Sequence, residues 1–315
     1  MTKPTLIQLD GSPIPEKATQ RTFAIGKFDG IHIAHQAVIS RAVEVAKKLH
    51  ATASLFTFDP HPRFALTGDT AYERLLTPLK ERARIAATLG IATTFVAQFD
   101  TRFQQQSAKE FMEHYLLPLG ACHLVVGYDF RFGKNGRYTP EDLIEIGRTY
   151  NILVDVVQPI DCDGIPVSSS VIRKKLEEGD IARATRLLGR PYRVRGQVSK
   201  GDQRGREIGF PTANLSLSEN YVLPKSGVYI VDVWILGEKR RAVMNIGTRP
   251  TIYEDGVLSV EVHIPDFAGD LYGIQLDVDF LHYVREERRF SSLMELQEQL
   301  ARDVHTAIVW VTPIQ

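Results

Sequence analysis

Two histidines three residues apart, His32 and His35, follow two glycines, Gly26 and Gly30, in the stretch Ala24 to Gln36. The apolar Phe23-Ala24-Ile25 before them reads as the end of a strand. After them Val38, Ile39, Ala42, Val45, Ala46 and Leu49 recur at helical spacing. Strand, glycine turn and helix N-terminus therefore follow one another. A helix N-terminus offers unpaired N–H groups and the positive end of its dipole to an anion. Two imidazoles at that mouth can donate hydrogen bonds to phosphoryl oxygens as charge develops there. The same spacing also suits two metal ligands, or an ordinary βα turn with surface histidines. The chain has no GxxxxGK followed by Ser or Thr, so a nucleotide would not be held by a P-loop.

Further polar clusters follow each apolar run. Phe58 to Arg63, FDPHPR, places Asp59, His61 and Arg63 beside two stiffening prolines, and is equally readable as a Pro-rich turn. Gly127 to Arg137, GYDFRFGKNGR, interleaves Tyr128, Phe130 and Phe132 with Arg131, Lys134 and Arg137. Such a loop can stack on a flat ring and meet phosphate, or simply plug a domain edge with its aromatics. Val167 to Leu176 holds Ser168, Ser169 and Ser170, which can cap a helix, with Arg173 one turn on. In the second half, Gly196 to Leu215 carries Gly201, Gly205 and Gly209 among Lys200, Arg204 and Arg206, a weak Gly-rich signal for phosphate. Pro211 to Asn214, PTAN, reads as a fixed turn whose oxygens suit a hard cation such as Mg²⁺. Glu261 alternates with Val260, Val262 and Ile264, the pattern of a solvent-facing strand residue, and Arg285 with Glu287 reads as an ordinary charge cluster.

The elements that must position these residues fall into two kinds. Over the first ~185 residues, strands at Thr22–Ile25, Ala53–Phe58, Thr93–Ala97, His123–Val126 and Leu153–Val157 alternate with helices. The helices are expected at His35–Leu49, Pro78–Leu89, Ala108–Leu117 and Glu141–Tyr150. This predicts a parallel α/β sheet, Rossmann-like, with ligands outside the carboxyl ends of its strands. Beyond Arg190, short runs at hairpin spacing replace the alternation: Tyr192–Val198, Gly227–Leu236, Arg241–Ile246, Val257–Ile264 and Ile274–Tyr283. They predict a small antiparallel barrel followed by one helix striped with Leu293, Leu296, Leu300 and Val304. The join is a short amphipathic helix that Gly189 and Pro191 stop, and the boundary is set near Asp180, giving domains 1–180 and 181–315.

Length and composition agree with two globular domains: 315 residues, 43% hydrophobic and 24% charged, with a formal net charge of zero. A neutral chain is not expected to bind nucleic acid generally. Two cysteines, Cys122 and Cys162, suit a reducing compartment. The Pro-broken N-terminus does not read as a signal peptide, and no apolar run approaches the roughly 20 residues of a membrane span. A cytoplasmic protein, monomeric or weakly self-associating, is the expectation.

Together these stretches resemble a known family. GKFDGIHIAHQ is similar to the GxFDGxHxGHQ signature of bacterial bifunctional riboflavin kinase/FAD synthetases, with Ala34 where the family has Gly. FDPHP, GYDFRFG and Ser-Ser-Ser-Val-Ile-Arg follow in the family's order, Ser170 standing for its Thr. GFPTANL, MNIGTRPT, VEVHIPDFAGDLYG and VREERRF resemble its riboflavin kinase half, so the likeness runs from about Phe23 to Asp303. The resemblance implies an HxGH-type nucleotidyltransferase domain joined to a kinase barrel, with ATP, riboflavin, FMN and FAD as substrates and products and Mg²⁺ as cofactor. It implies that His32 and His35 meet the transferred α-phosphoryl, and that Ser169, Ser170 and Arg173 grip pyrophosphate. Gly26, Phe28 and Asp29 would shape the nucleotide pocket, and Asp59, His61, Asp129, Phe130, Arg131 and Phe132 the flavin side. In the kinase half it implies Gly201, Gly205, Arg206, Gly209 and Pro211 at ATP, Thr212 at Mg²⁺, and Asn214, Arg285 and Glu287 at the flavin. Glu261 would be the base that takes the proton of the riboflavin 5′-hydroxyl. Two alternatives stand beside this: a kinase whose transferase half is silenced by Ala34, and a flavin-binding regulator without turnover.

Overall fold

Six parallel strands carry the first unit of the computed structural model, Met1–Ser169. They are β1 (Thr5–Leu9), β2 (Arg21–Ile25), β3 (Thr52–Asp59), β4 (Thr93–Gln98), β5 (Ala121–Gly127) and β6 (Leu153–Val157), in the order β1-β4-β3-β2-β5-β6. Described residues are 4–9, 19–200, 205, 208–249 and 257–311. The helices are α1 (Ile33–Leu49), α2 (Pro62–Thr67), α3 (Leu79–Thr88), α4 (Thr101–Gln104), α5 (Ala108–Phe111) and α6 (Pro140–Thr149). Alternation along β2 builds both layers. Phe23 and Ile25 join Phe56 and Phe95 in one core, while Ala24 joins Val38, Ile39, Ala42 and Ala46 of α1 in the other. A short hairpin, β7 (Asp161–Cys162) with β8 (Ile165–Pro166), precedes α7 (Ser169–Glu177).

All strands being parallel, the loops after β2, β3, β5 and β6 leave the same rim. The order reverses between β2 and β5, the position where such sheets bind ligands. The sequence does not predict β1, α2, α4 or the β7–β8 hairpin. The edge strand β1 is five residues long and nowhere fully buried, so its apolar signal is weak. The helix expected over Ala108–Leu117 becomes π-helical after Phe111, over Met112–Leu116.

The second unit, Ser170–Gln315, is a closed antiparallel barrel. Its strands are β9 (Tyr192–Ser199), β10 (Thr212–Leu217), β11 (Gly227–Ile235), β12 (Glu238–Arg249), β13 (Val257–His263) and β14 (Gln275–Arg285), in the order β10-β13-β12-β11-β14-β9. The connector helix α8 (Ile181–Leu188) buries Ile181, Ala184, Leu187 and Leu188, as its spacing predicts. β10 corrects the turn expected at Pro211–Asn214: only Pro211 precedes the strand, and Thr212 begins it. The segment buries a single side chain, Leu215, so it carries little apolar alternation to read. Tyr229, Val231, Met244, Ile246, Val260, Val262, Val278 and Phe280 are buried within the barrel wall.

The last helix, α9 (Leu293–Val309), covers the opposite side of that wall. Its Ala307, Val304 and Trp310 pack on Val228, Ile230 and Val243. Arg285 at the end of β14 holds α9 through Asp303, donating to its carboxylate at 2.6 Å from Nη2 and 3.1 Å from Nε. Asp303 is only 2% exposed. Replacing it by Ala leaves the guanidinium uncompensated at a half-buried seam and is expected to destabilise this unit by about 3 kcal/mol, measured by urea titration. Among the described residues no helix is long and apolar enough to cross a membrane.

Candidate active sites

The turn between β2 and α1 brings the two histidines together. His32 is the N-cap of α1, and its Nδ1 accepts from the His35 backbone N–H at 3.2 Å. The imidazole rings stack at 3.6 Å between centroids with 13° between planes, and the ring of Phe28 meets His35 edge-on at 5.2 Å. A neutral His32 that accepts at Nδ1 carries its proton on Nε2, so that nitrogen is a donor. Phe28, Gly30 and Ile31 have φ of 53°, 92° and 37°, left-handed backbone that turns the chain sharply from strand to helix.

The predicted aspartate of this turn is a brace. Asp29 is 1% exposed; its Oδ1 accepts from the Thr77 N–H at 3.1 Å, and its carbonyl accepts from Ser169 Oγ at 2.8 Å. The fourth loop is thereby tied to the first. Gly26 lies against the ring of Phe28, where a Cβ would meet it at 3.3 Å. Ser170 and Arg173 stand one and four residues further along α7, and Arg173 is buried.

Ala34 is the second residue of α1 and is not among the positive-φ residues. Alanine at a right-handed helical position carries no backbone penalty and favours the helix over glycine. Ala34→Gly is therefore expected to lower the melting temperature slightly and to leave turnover at this turn unchanged within error, checked by matched thermal-melt and rate measurements.

After β3, His61 is buried as the N-cap of α2, its Nδ1 accepting from the Arg63 N–H at 3.2 Å and its ring 4.8 Å from that of Tyr72. Asp59 ends β3 and is partly buried. After β5, Phe130 and Phe132 correct the ring-stacking expectation. They are 8% and 7% exposed, stack on each other at 5.4 Å and belong to the sheet's core with Phe111. An apolar ring gains more from that core than from the rim, so they plug the domain edge. The exposed side of the loop carries Tyr128, Asp129 and Arg131.

In the barrel, the kinase candidates form one row across three strands. Asn214 of β10 and Asn245 of β12 both pair with Glu261 of β13. Residues paired across a ladder share a face. Since Val260 and Val262 turn inward, Glu261 and its partners lie on the outer wall. Thr212 Oγ1 donates to Glu261 Oε2 at 3.4 Å and Ser259 Oγ to Oε1 at 3.0 Å. Asn245 Nδ2 donates to Glu287 Oε1 at 2.9 Å, so Glu287 joins the row, whereas Arg285 is turned to Asp303.

Glu287 crosses β12 at Gly247, where an added Cβ would lie against its carboxylate and make that side chain shift. Gly205 packs against the backbone of Phe210, where a Cβ would meet the carbonyl oxygen at 2.4 Å, and Gly209 has φ of 81°. Pro211 offers its carbonyl to His263 Nδ1 at 2.8 Å. Gly201 and Arg206 lie outside the described residues.

Comparison with known proteins covers both halves. A family model described as FAD synthetase matches residues 14–171, and one described as riboflavin kinase matches residues 188–311. The bifunctional riboflavin kinase/FMN adenylyltransferase of Bacillus subtilis (strain 168) is 38% identical over 301 residues, 94% of each chain. The Pseudomonas fluorescens protein of the same description is 40% identical over 290 residues, 92% of each. A crystal structure of a Streptococcus pneumoniae protein described as a macrolide-efflux protein superposes with a TM-score of 0.89 at 31% identity, covering 97% of this chain and 99% of that one.

Proposed function

The chain belongs to the family of bifunctional riboflavin kinase/FMN adenylyltransferases, and we propose that it runs two ATP-dependent reactions in succession on one flavin. The second unit phosphorylates riboflavin to FMN, and the first adenylylates FMN to FAD with release of pyrophosphate. We propose a functional division near Asp180, between 1–180 and 181–315, beyond the split between the two compact units, which falls after Ser169. The observation that carries the kinase reading is the row Thr212, Asn214, Glu261 and Asn245 on one outer face.

In the kinase reaction the Glu261 carboxylate takes the proton of the 5′-hydroxyl. The oxygen then attacks the γ-phosphorus of ATP, and ADP leaves. Asn214, Asn245 and Glu287 orient the flavin end, while Arg285 acts on α9 through Asp303. The Thr212 hydroxyl, exposed at the start of β10, is a hard oxygen donor of the kind Mg²⁺ takes beside phosphate oxygens, so this residue fits the ion and leaves Glu261 to act as the base. Mg²⁺ when bound supplies charge neutralisation at phosphate oxygens. Gly205 and Gly209 let the backbone bend close to ATP with no side chain between.

In the transferase reaction an FMN phosphate oxygen attacks the α-phosphorus of ATP and pyrophosphate leaves. His32 and His35 donate to the α-phosphoryl oxygens at the mouth of α1, where the helix dipole adds to them. The first turn of α7, with Ser169, Ser170 and Arg173, takes the pyrophosphate. Asp59, His61, Asp129 and Arg131 face the flavin, and Phe130 with Phe132 supports that loop from beneath. The right-handed helical position of Ala34, where alanine carries no backbone penalty, supports a working transferase.

Product analysis of the intact chain with ATP, Mg²⁺ and riboflavin tests both halves. FMN followed by FAD is expected. FMN alone, even when FMN itself is supplied, would leave a kinase only; neither product would leave a flavin-binding regulator.

A further inference from the structure

One helix of the first unit carries a cation on its core face. α3 buries Ala83 and Ala86, as an amphipathic helix should, but Arg82 beside them is 1% exposed. A guanidinium is costly to bury unless its donors are satisfied, and an aliphatic side chain would fill the same space more cheaply. Arg82 therefore marks a position where hydrogen bonds are needed.

Those bonds run in two arms to one place. Arg82 Nη1 donates to Thr57 Oγ1 at 2.8 Å and to the Phe58 carbonyl at 3.3 Å. Thr57 in turn donates to the Lys27 carbonyl at 3.0 Å. Arg82 Nη2 donates to the Thr77 carbonyl at 3.4 Å. Thr77 then holds three consecutive residues: its Oγ1 donates to the Phe28 carbonyl at 3.3 Å, its N–H donates to Asp29 Oδ1, and its Oγ1 accepts from the Gly30 N–H at 2.7 Å. Both arms end in residues 27–30, the turn that delivers His32 and His35. Phe28 and Ile31 are held there in left-handed backbone, which side-chain-bearing residues keep only when their surroundings impose it. Thr57 and Thr77 are 0% and 3% exposed, so the brace is closed to solvent and can act only through what it holds.

We propose that Arg82, through Thr57 and Thr77, is a positioning residue for adenylyl transfer, fixing the turn that aims His32 and His35. This rests on the transferase reading above. Reacting groups must be held within fractions of an ångström, and displacement of about 1 Å costs on the order of 10²-fold in rate.

The test uses the full chain and supplied FMN. Arg82→Met is expected to lower kcat for FAD formation by about 10²-fold, with the KM for FMN within about threefold. Thr77→Val should act in the same direction, and Thr77→Ser, which restores the hydroxyl, should recover the rate. Riboflavin phosphorylation by the same molecules should stay unchanged, reporting an intact protein. The discriminating measurement is a double-mutant cycle: on a His35→Ala background, where only His32 is left to be aimed, the cost of Arg82→Met should shrink by about tenfold or more. Undiminished loss on that background, or a kcat within about twofold of wild type in the single variant, overturns the proposal. Where Arg82→Met fails to fold, Thr77→Val and Thr77→Ser carry the same cycle. A wild-type chain that forms no FAD overturns the transferase reading and this inference with it. A wild type that forms FAD no faster than Arg82→Met overturns this inference alone.

Discussion

Glu261→Gln is expected to lower FMN formation from riboflavin by about 10²–10⁴-fold, the range for removal of a general base. Conversion of supplied FMN to FAD should persist. The substitution is close to isosteric, and the amide retains one oxygen to accept from Ser259 or Thr212. The pairing of Asn214 and Asn245 with this position is made by backbone, so the barrel register should survive. What is lost is the proton acceptor. Separate quantification of FMN and FAD by chromatography decides the matter. Loss of both products to the same extent would mean that the two reactions do not have separate sites.

His35→Ala is the complementary case. Removing one donor from a preorganised oxyanion site costs about 10²–10³-fold in kcat, and this loss is expected in FAD formation only. FMN should accumulate from riboflavin at the wild-type rate. The variant is informative because it keeps the cap of α1, in which the His35 backbone N–H donates to His32 Nδ1, and removes only the ring with its contacts to His32 and Phe28. FAD production near wild type would remove His35 from the reaction.

These expectations were legible in the sequence to different depths. Residues that act from a loop beside regular periodicity could be placed, so His32, His35 and the helix behind them stand where their spacing put them. Glu261 could be placed on a strand by alternation, but its neighbours could not. Thr212, Asn214 and Asn245 come from two other strands, and only the pairing register sets them beside it. β10 escaped notice because one buried leucine is too little pattern for a strand. Phe130 and Phe132 misled because an aromatic in a polar loop has the same sequence signature whether it faces a ligand or the core. Arg82 was hidden for the opposite reason. A cation in a helix is normally read as solvated, and only its position on the face shared with Ala83 and Ala86 could have raised the question.

The Glu261 row stands on the outside of a closed barrel, while the residues that fill the inside come from the alternate positions of the same strands. Along β13, chemistry and packing are thus written on opposite parities of one strand. The even positions Val260 and Val262 can be varied for stability, and the odd positions Ser259, Glu261 and His263 for specificity, with a backbone pleat between the two sets. Libraries that randomise one parity at a time would search catalysis and thermostability as nearly independent problems, a separation that the loop-built site of the first unit does not offer.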